Sequence, residues 1–565
     1  MVTTHGHSAE VRENSPAPAA PEQRVRELLA LFDSPDACAA ELLCDRHPEE
    51  AVAFTVVDAD LSAEDLTYGR LRRESARFAA ALADLGVEPG DAVATLMGKS
   101  ADLVVALLGI WRRGAVHLPL FTAFAPPAIR LRLDAGRAKV VVVDADQRAK
   151  LAPGDDMPAE PAWLTVVAGD TADEGALSFT GLLAGYIGDE PQGRAVAVGG
   201  DGPLVQLFTS GTTGTPKGVP VPVKALASFQ AYLEFGLDVR PDDVFWNAAD
   251  PGWAYGLYYA VLGPLATGTR SLQLHAGFSP ALTWQVLRTF GVTNFAAAPT
   301  VYRSLKAASD PVPEGVRLRR ASSAGEPLTP EVVSWSEQAL GVAVRDHYGQ
   351  TEHGMVIVGG WADAVRTSVP PGSMGRPLPG WSAEVLHDDR DEPVPPGTLG
   401  RVAIDVTGSP LLWFSGYVDA PEKTAERFSA DGRWYLTGDA GARNADGDFF
   451  FSARDDDVII MAGYRIGPFD VESVLVQHES VIEAAVVGVP DALRGEVLEA
   501  YIVLRDPAAG DAALAEELQH LVKRRFAAHA YPRTVHFTDR LPKTPSGKIQ
   551  RFLLREQRAL EIRQA

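Results

Sequence analysis

Leu207-Phe208-Thr209-Ser210-Gly211-Thr212-Thr213-Gly214-Thr215-Pro216-Lys217-Gly218 is the stretch on which the reading of this chain turns. It leaves a strand-like segment, Leu204 to Phe208, and packs three glycines, four threonines, a serine and a lysine into ten residues. Glycine accepts positive φ and close backbone approach, so successive N–H groups can converge on a phosphate. The hydroxyls add donors and Lys217 adds a mobile positive charge. The run reads as a triphosphate cradle. The common ATPase loop is excluded, because the G-x-x-x-x-G-K-[ST] spacing fails here. Taken alone, the segment also admits an ordinary Gly/Ser/Thr loop.

The rest of the chain sets bounds. Its 565 residues exceed one compact core, which implies two or more domains. A hydrophobic share of 46% and a charged share of 22% are those of a globular protein. Two cysteines, Cys38 and Cys44, make no disulfide framework and read as packing residues of a reducing, cytoplasmic compartment. No membrane span is expected: the long uncharged stretch Gly252 to Gly268 contains Pro264 and reads as a buried segment. The N-terminus lacks a basic-then-apolar leader pattern, and residues 1–21 read as a disordered tail.

A formal charge of −22 argues against nucleic acid as a partner. From His520 to Ala565, however, eleven Lys/Arg face three acids. Such an end suits a polyanionic small ligand, with a solvated basic terminal helix as the competing reading for Arg555 to Arg563.

Along the chain, short β-rich runs (Val93 to Met97, Val140 to Val143) alternate with helical patterns such as Asp102 to Trp111, which implies layered α/β architecture. The charged cluster Arg454-Asp455-Asp456-Asp457 marks a boundary. Beyond it, strands at Ala484 to Val489 and Ala500 to Leu504 and a helix over 512–526 form a small α+β module. The domains expected are therefore 22–455 and 456–565.

Five further segments accompany the cradle: Ser323-Ala324-Gly325-Glu326-Pro327-Leu328, Tyr348-Gly349-Gln350-Thr351-Glu352, Tyr435-Leu436-Thr437-Gly438-Asp439, Gly463-Tyr464-Arg465-Ile466-Gly467 and Leu541-Pro542-Lys543-Thr544-Pro545-Ser546-Gly547-Lys548. All six, in this order, resemble the adenylate-forming superfamily. Gly463 to Pro468 and Ala530 to Arg533 resemble its medium-chain acyl-CoA synthetases, with acetyl-CoA synthetases close by.

That resemblance implies a large N-terminal domain of subdomains with a mobile C-terminal lid hinged at Asp456. It implies ATP, Mg²⁺ and coenzyme A: a carboxylate attacks the α-phosphate, giving acyl-AMP and pyrophosphate, and a thiol then displaces AMP. Positioning and charge neutralisation dominate such transfers. The resemblance assigns Thr209, Ser210, Gly211, Thr212, Thr213, Gly214, Thr215, Pro216 and Lys217 to the β- and γ-phosphates. Gly325, Glu326, Pro327 and Tyr348 fall to the adenine slot, within a nucleotide-binding stretch that also takes in Asp346, His347, Gly349 and Gln350. Thr351 is assigned to the α-phosphate, Glu352 to Mg²⁺, Asp439 to the ribose hydroxyls, Arg454 to the ribose and Arg465 to phosphate. Lys548 enters from the lid to steady developing charge. By themselves, Asp439 also reads as a turn cap and Lys548 as a surface lysine.

For the second step, the resemblance places coenzyme A near Arg494, Lys523, Tyr531, Pro532 and Arg533, with Ala462, Gly463 and Tyr464 lining the pantetheine path. The acyl site is assigned to Trp253, Gly349 and His353. Acetate-specific relatives carry tryptophan where Gly349 stands, so an acid larger than acetate is expected. Ala453, Asp455 and Val223 depart from the family pattern. They keep open a variant that only converts acyl-adenylate to acyl-CoA. Loading of a carrier protein is a second alternative, and a homodimer is also left open. Lys217, Glu352, Asp439 and Lys548 together argue against a purely regulatory protein.

Overall fold

A computed structural model of the chain describes residues 20–169, 175–187, 191–209, 217–308, 311–454, 457–461, 464–491, 494–527, 529–544 and 548–564. Most of the expected tail lies outside these residues; its last member, Pro21, opens the helix Pro21–Phe32.

The β-branched run at 140–143 lies in the strand Ala138–Val143, whose Val140 to Val143 are wholly buried. It sits between Ala92–Leu96 and Leu164–Val167, all parallel, in a seven-stranded sheet. The connecting helix Ala101–Arg112 is capped by the Ser100 hydroxyl, which accepts from Leu103 N, and is apolar along nearly its whole length because it is buried there. At the far edge, Pro203–Thr209 turns back antiparallel into Lys217–Pro222.

A second sheet has thirteen strands. Val52–Asp58, Ser271–His275, Phe245–Asn247, Asn294–Ala297, Arg320–Ala324 and Arg345–Gln350 run parallel in that order. From there the sheet continues antiparallel through Gly354–Val358 to Trp434–Arg443 and Phe449–Arg454. The carboxyl ends of parallel strands leave a crevice where ligands bind in open α/β sheets.

The uncharged run at 252–268 is helical from Ala254 to Thr267, and its middle turn, Leu257–Leu262, is a π-turn with every residue buried. Pro264 has no N–H to give the Ala260 carbonyl four residues earlier, and the Gln273 side-chain amide donates to that carbonyl instead at 2.7 Å. No helix among the described residues is long and apolar enough to cross a membrane. Cys38 and Cys44 are free and buried, and burial pushes the Cys44 thiol up to about 12.

The third sheet belongs to the C-terminal end. The two strands expected there are longer than their apolar runs, pairing as Val481–Asp491 with Gly495–Leu504. Pro468–Leu475 and Ala512–Arg525 cover one face through Val471, Leu475, Leu514 and Leu518, while Leu554 of Arg551–Gln564 packs on the other with Val487 and Tyr501. The terminal helix is not a solvated basic face throughout. Arg551 pairs with Glu472 at 2.7 Å, Arg555 with Asp457 at 2.6 Å and Arg558 with Glu499 at 2.8 Å.

Candidate active site

Thr209 and Lys217 form the last register pair of their hairpin, so the cradle between them begins and ends at one rung. Ser210 to Pro216 lie outside the described residues. Lys217 Nζ stands 5.0 Å from the centre of the Tyr417 ring. Desolvation, then Arg427 and Lys423, hold its pKa below the lysine norm. Val223 is fully buried beyond the hairpin, where an apolar side chain fits the core.

The turn between Arg345–Gln350 and Gly354–Val358 presents the next set of residues. Asp439 Oδ2 accepts from the Tyr348 hydroxyl and from the Gln350 amide, both at 2.6 Å, and Arg454 Nε lies 3.2 Å from Oδ1. Gln350 also donates to the Thr437 carbonyl at 2.9 Å. Glu352 is buried, and its Oε1 accepts from the Tyr417 hydroxyl at 2.8 Å. The Thr351 carbonyl accepts from Tyr258 at 2.9 Å. Gly325 has φ +101° with open space on its Cβ side, as a flat ring lying on the backbone requires.

One expectation needs correction, and two residues keep only their main chain for the role expected of them. Gly349 does not vacate a side-chain pocket: a Cβ there would overlap the Gly354 carbonyl oxygen and stand 2.8 Å from Met355 Cα. Glycine is needed because two strands close on each other at a register shift, so it carries no information on acyl size. His347 turns its ring to the Tyr232 hydroxyl, 2.6 Å away, in the core, leaving only its main chain for a nucleotide; burial pushes its pKa down to about 3. Glu326 spends its carboxylate on Arg303 at 2.6 Å and Thr300 at 2.9 Å, so the adenine slot can use its backbone but not its charge.

Asp346 is buried against the backbone N–H groups of Leu328 and His347, and burial pushes its carboxyl up to about 7. His353 is wholly buried between Tyr435 and Trp381; its Nδ1 lies 2.8 Å from the Gly354 carbonyl and its Nε2 has no partner among the described residues. Burial lowers its pKa to about 4, so the ring is neutral near pH 7. Trp253 is half-buried on Phe121 and Phe124, with its indole N–H unpartnered among the described residues.

Lys548 closes a loop whose stem is the Lys543–Ile549 bridge, with its carbonyl accepting from Thr544 N. Its side chain is exposed by area, yet protein crowds the ammonium enough that desolvation, reinforced by Arg454, lowers its pKa. Glu326, Asp439 and Glu352 pull the other way, which places this lysine in the field of the nucleotide-side carboxylates.

On the C-terminal unit, Lys523 Nζ and the Arg533 guanidinium stand 3.9 and 3.8 Å from the centre of the Tyr531 ring. Arg494 adds a third positive charge, felt by Arg533 as a lowered pKa behind desolvation, with Asp491 the opposing acid. Arg533 Nε is buried without a partner among the described residues, and Pro532 is buried beside it. Tyr464 is half-exposed and stacked on His529 at 4.2 Å. Ala462, Gly463, Asp455, Asp456 and the side chain of Arg465 lie outside the described residues. Ala453 pairs with Ala440 and is buried.

Two residues escape a sequence reading. Arg427 Nε donates to the Tyr417 hydroxyl at 3.0 Å and Nη1 to the Thr437 carbonyl at 3.1 Å. Their only signal is an aromatic run, Trp413 to Tyr417, ahead of a charged helix; no spacing connects either to Glu352.

Parallel strands that end at Arg345–Gln350, a hairpin that brackets a Gly/Thr-rich sequence and a smaller C-terminal unit that carries Lys548 make up the frame of a nucleotide-activating enzyme. The AMP-binding enzyme family matches residues 41–417 and its C-terminal domain matches 470–548. The chain belongs to that family. The acetyl-coenzyme A synthetase of Bacillus subtilis is 35% identical over 527 residues, 90% of this chain and 89% of that protein. The crystal structure of a Brucella canis acyl-CoA synthetase is 43% identical, with TM-score 0.72 over 95% of this chain and 97% of that one. The anthranilate CoA ligase AuaEII, solved with anthranoyl-AMP, is 28% identical with TM-score 0.82, covering 94% and 98%.

Proposed function

We propose that this cleft joins a small carboxylic acid to coenzyme A in two steps. The chain is an AMP-forming acyl-CoA synthetase, an acid–thiol ligase of the kind its relatives are named for. The observation that carries the residue roles is the pair of carboxylates flanking the cleft: Asp439, held by Tyr348, Gln350 and Arg454, and Glu352, held by Tyr417.

In the first step, the acid's oxygen attacks the ATP α-phosphorus, and the bond to the β-phosphate oxygen breaks to release pyrophosphate. Thr209, Lys217 and the loop between them hold the departing phosphates. Asp439 and Arg454 fix the ribose, and the backbone of 325–327 with Tyr348 holds the adenine. Thr351 contacts the α-phosphate, and Lys548 balances charge on the transferring oxygens. Glu352 fits a cation: its Oε2 has no hydrogen bond among the described residues. No group of three or more His, Cys, Asp or Glu there could hold a metal alone. This suits Mg²⁺ brought by the nucleotide, whose phosphates and waters complete its shell. When bound, that ion supplies charge neutralisation.

In the second step, the coenzyme's thiol attacks the acyl carbon and AMP leaves with the bonding electron pair. Arg494, Lys523 and Arg533 around Tyr531 offer a cationic seat for the coenzyme's phosphates, which the neutralised terminal helix does not. A domain boundary at the 454–457 cluster lets the small unit serve both steps. The test is a panel of acids assayed for AMP release with and without coenzyme A. AMP appearing only with both acid and coenzyme supports the reading; ADP as product overturns it.

A further inference from the structure

We propose that Tyr417 and Arg427 are positioning residues that hold the Glu352 carboxylate and tie it to the ribose-side turn. The inference rests on the reading of Glu352 as the ion-facing carboxylate. The contacts form a directed chain. Tyr417 has one hydroxyl proton, and it goes to Glu352 Oε1 at 2.8 Å, because the same oxygen accepts from Arg427 Nε at 3.0 Å. The arginine therefore fixes the phenol's orientation, and the phenol commits one carboxylate oxygen while Oε2 stays available.

Arg427 also reaches the other side of the cleft. Its Nη1 donates to the Thr437 carbonyl, two residues before Asp439, at 3.1 Å. Gly438, at φ +72°, passes directly over it: a Cβ there would stand 2.7 Å from Nη1. The glycine is needed for both conformation and space. Gln350 donates to the same Thr437 carbonyl and to Asp439, closing a polar ring from Glu352 to the ribose aspartate. Lys217 over the Tyr417 ring puts the phosphate cation against the same phenol. Arg427 is the member common to both sides, so its loss reaches both, whereas the Tyr417 hydroxyl bears on Glu352.

The test compares Tyr417→Phe, Arg427→Gln and Glu352→Gln. Mn²⁺ binding to the enzyme with a non-cleavable ATP analogue is followed by electron paramagnetic resonance. AMP binding is followed separately by calorimetry, and thermal melting checks the fold. Tyr417→Phe should weaken Mn²⁺ binding about tenfold, as loss of a partner behind a metal ligand does, while AMP affinity stays within about twofold. Arg427→Gln should weaken both. If that variant does not fold, Tyr417→Phe alone decides. Mn²⁺ binding unchanged in Tyr417→Phe but weakened in Glu352→Gln overturns the positioning role and leaves the Glu352 assignment standing. Unchanged binding in Glu352→Gln overturns that assignment, and this inference with it.

Discussion

Asp439 and Arg454 face each other as a register pair of antiparallel strands, with the arginine Nε 3.2 Å from the aspartate Oδ1. A carboxylate offers about four acceptor positions. Tyr348 and Gln350 take two on Oδ2 and Arg454 takes one on Oδ1, and the proposed function seats a ribose hydroxyl on the remaining position beside the arginine. Asp439→Asn removes the charge and turns one of the two acceptor oxygens into a donor. A hydrogen bond to a charged group contributes about 1.5–3 kcal/mol, so the KM for ATP should rise roughly ten- to a hundredfold. The KM for the acid should hold. Steady-state kinetics varying each substrate in turn decide it, and a change confined to the acid would contradict the assignment.

Gly349→Ala tests the corrected reading of the 348–355 turn. The added methyl meets backbone rather than a flexible side chain, and such overpacking costs about 1–3 kcal/mol. The melting temperature should fall and turnover should drop alike for acids of every size. A shifted acid preference at unchanged stability would restore Gly349 to the acyl pocket wall.

Much of this architecture is legible in the sequence, and the exceptions have physical causes. The strand at 138–143 and the helix at 101–112 follow from β-branched and apolar runs bounded by turn signals and a serine cap. The nucleotide segments are legible because their residue types are chemically specific. The Gly349 inference fails because a glycine reports an absent side chain without saying whether ligand or backbone fills the space. Glu326 and His347 sit in the right motifs, but neighbours distant in sequence, Arg303 and Tyr232, decide where their side chains point. Tyr417 and Arg427 are invisible for the same reason: Glu352 lies 65 residues before Tyr417, and Arg427 meets it only through that phenol.

Asp346 makes stability depend on pH. With a native pKa of about 7 against an ordinary value of 3.8, the folded protein keeps a proton that the unfolded chain has released between those values. Its contribution is full below about pH 4 and is lost as pH rises toward 7. Asp346→Asn should therefore gain stability over the parent at pH 8 relative to pH 5, measured by denaturant melts at both values. An equal difference at the two pH values would mean that the carboxyl is already ionised.

The cations around Tyr531 separate the half-reactions. Arg533→Glu should raise the KM for coenzyme A by about tenfold, the loss of one charge-assisted contact, and leave pyrophosphate exchange into ATP unchanged. Raising the salt concentration should shrink the difference, because exposed charges are screened. Exchange lost along with coenzyme affinity would place the cluster on the nucleotide side instead.

The central claim is that one cleft first adenylates an acid, with Lys548 supplied from the small unit, and then passes the acyl group to coenzyme A. Its most direct test is acid-dependent exchange of labelled pyrophosphate into ATP, in the parent and in Lys548→Ala, alongside conversion of supplied acyl-adenylate to acyl-CoA. The account predicts exchange with at least one acid in the parent and a severe loss of exchange in the variant. Conversion of the supplied adenylate should be retained in both. Conversion of acyl-adenylate by a parent that shows no exchange with any acid would contradict it, leaving an enzyme that performs only the thioester step.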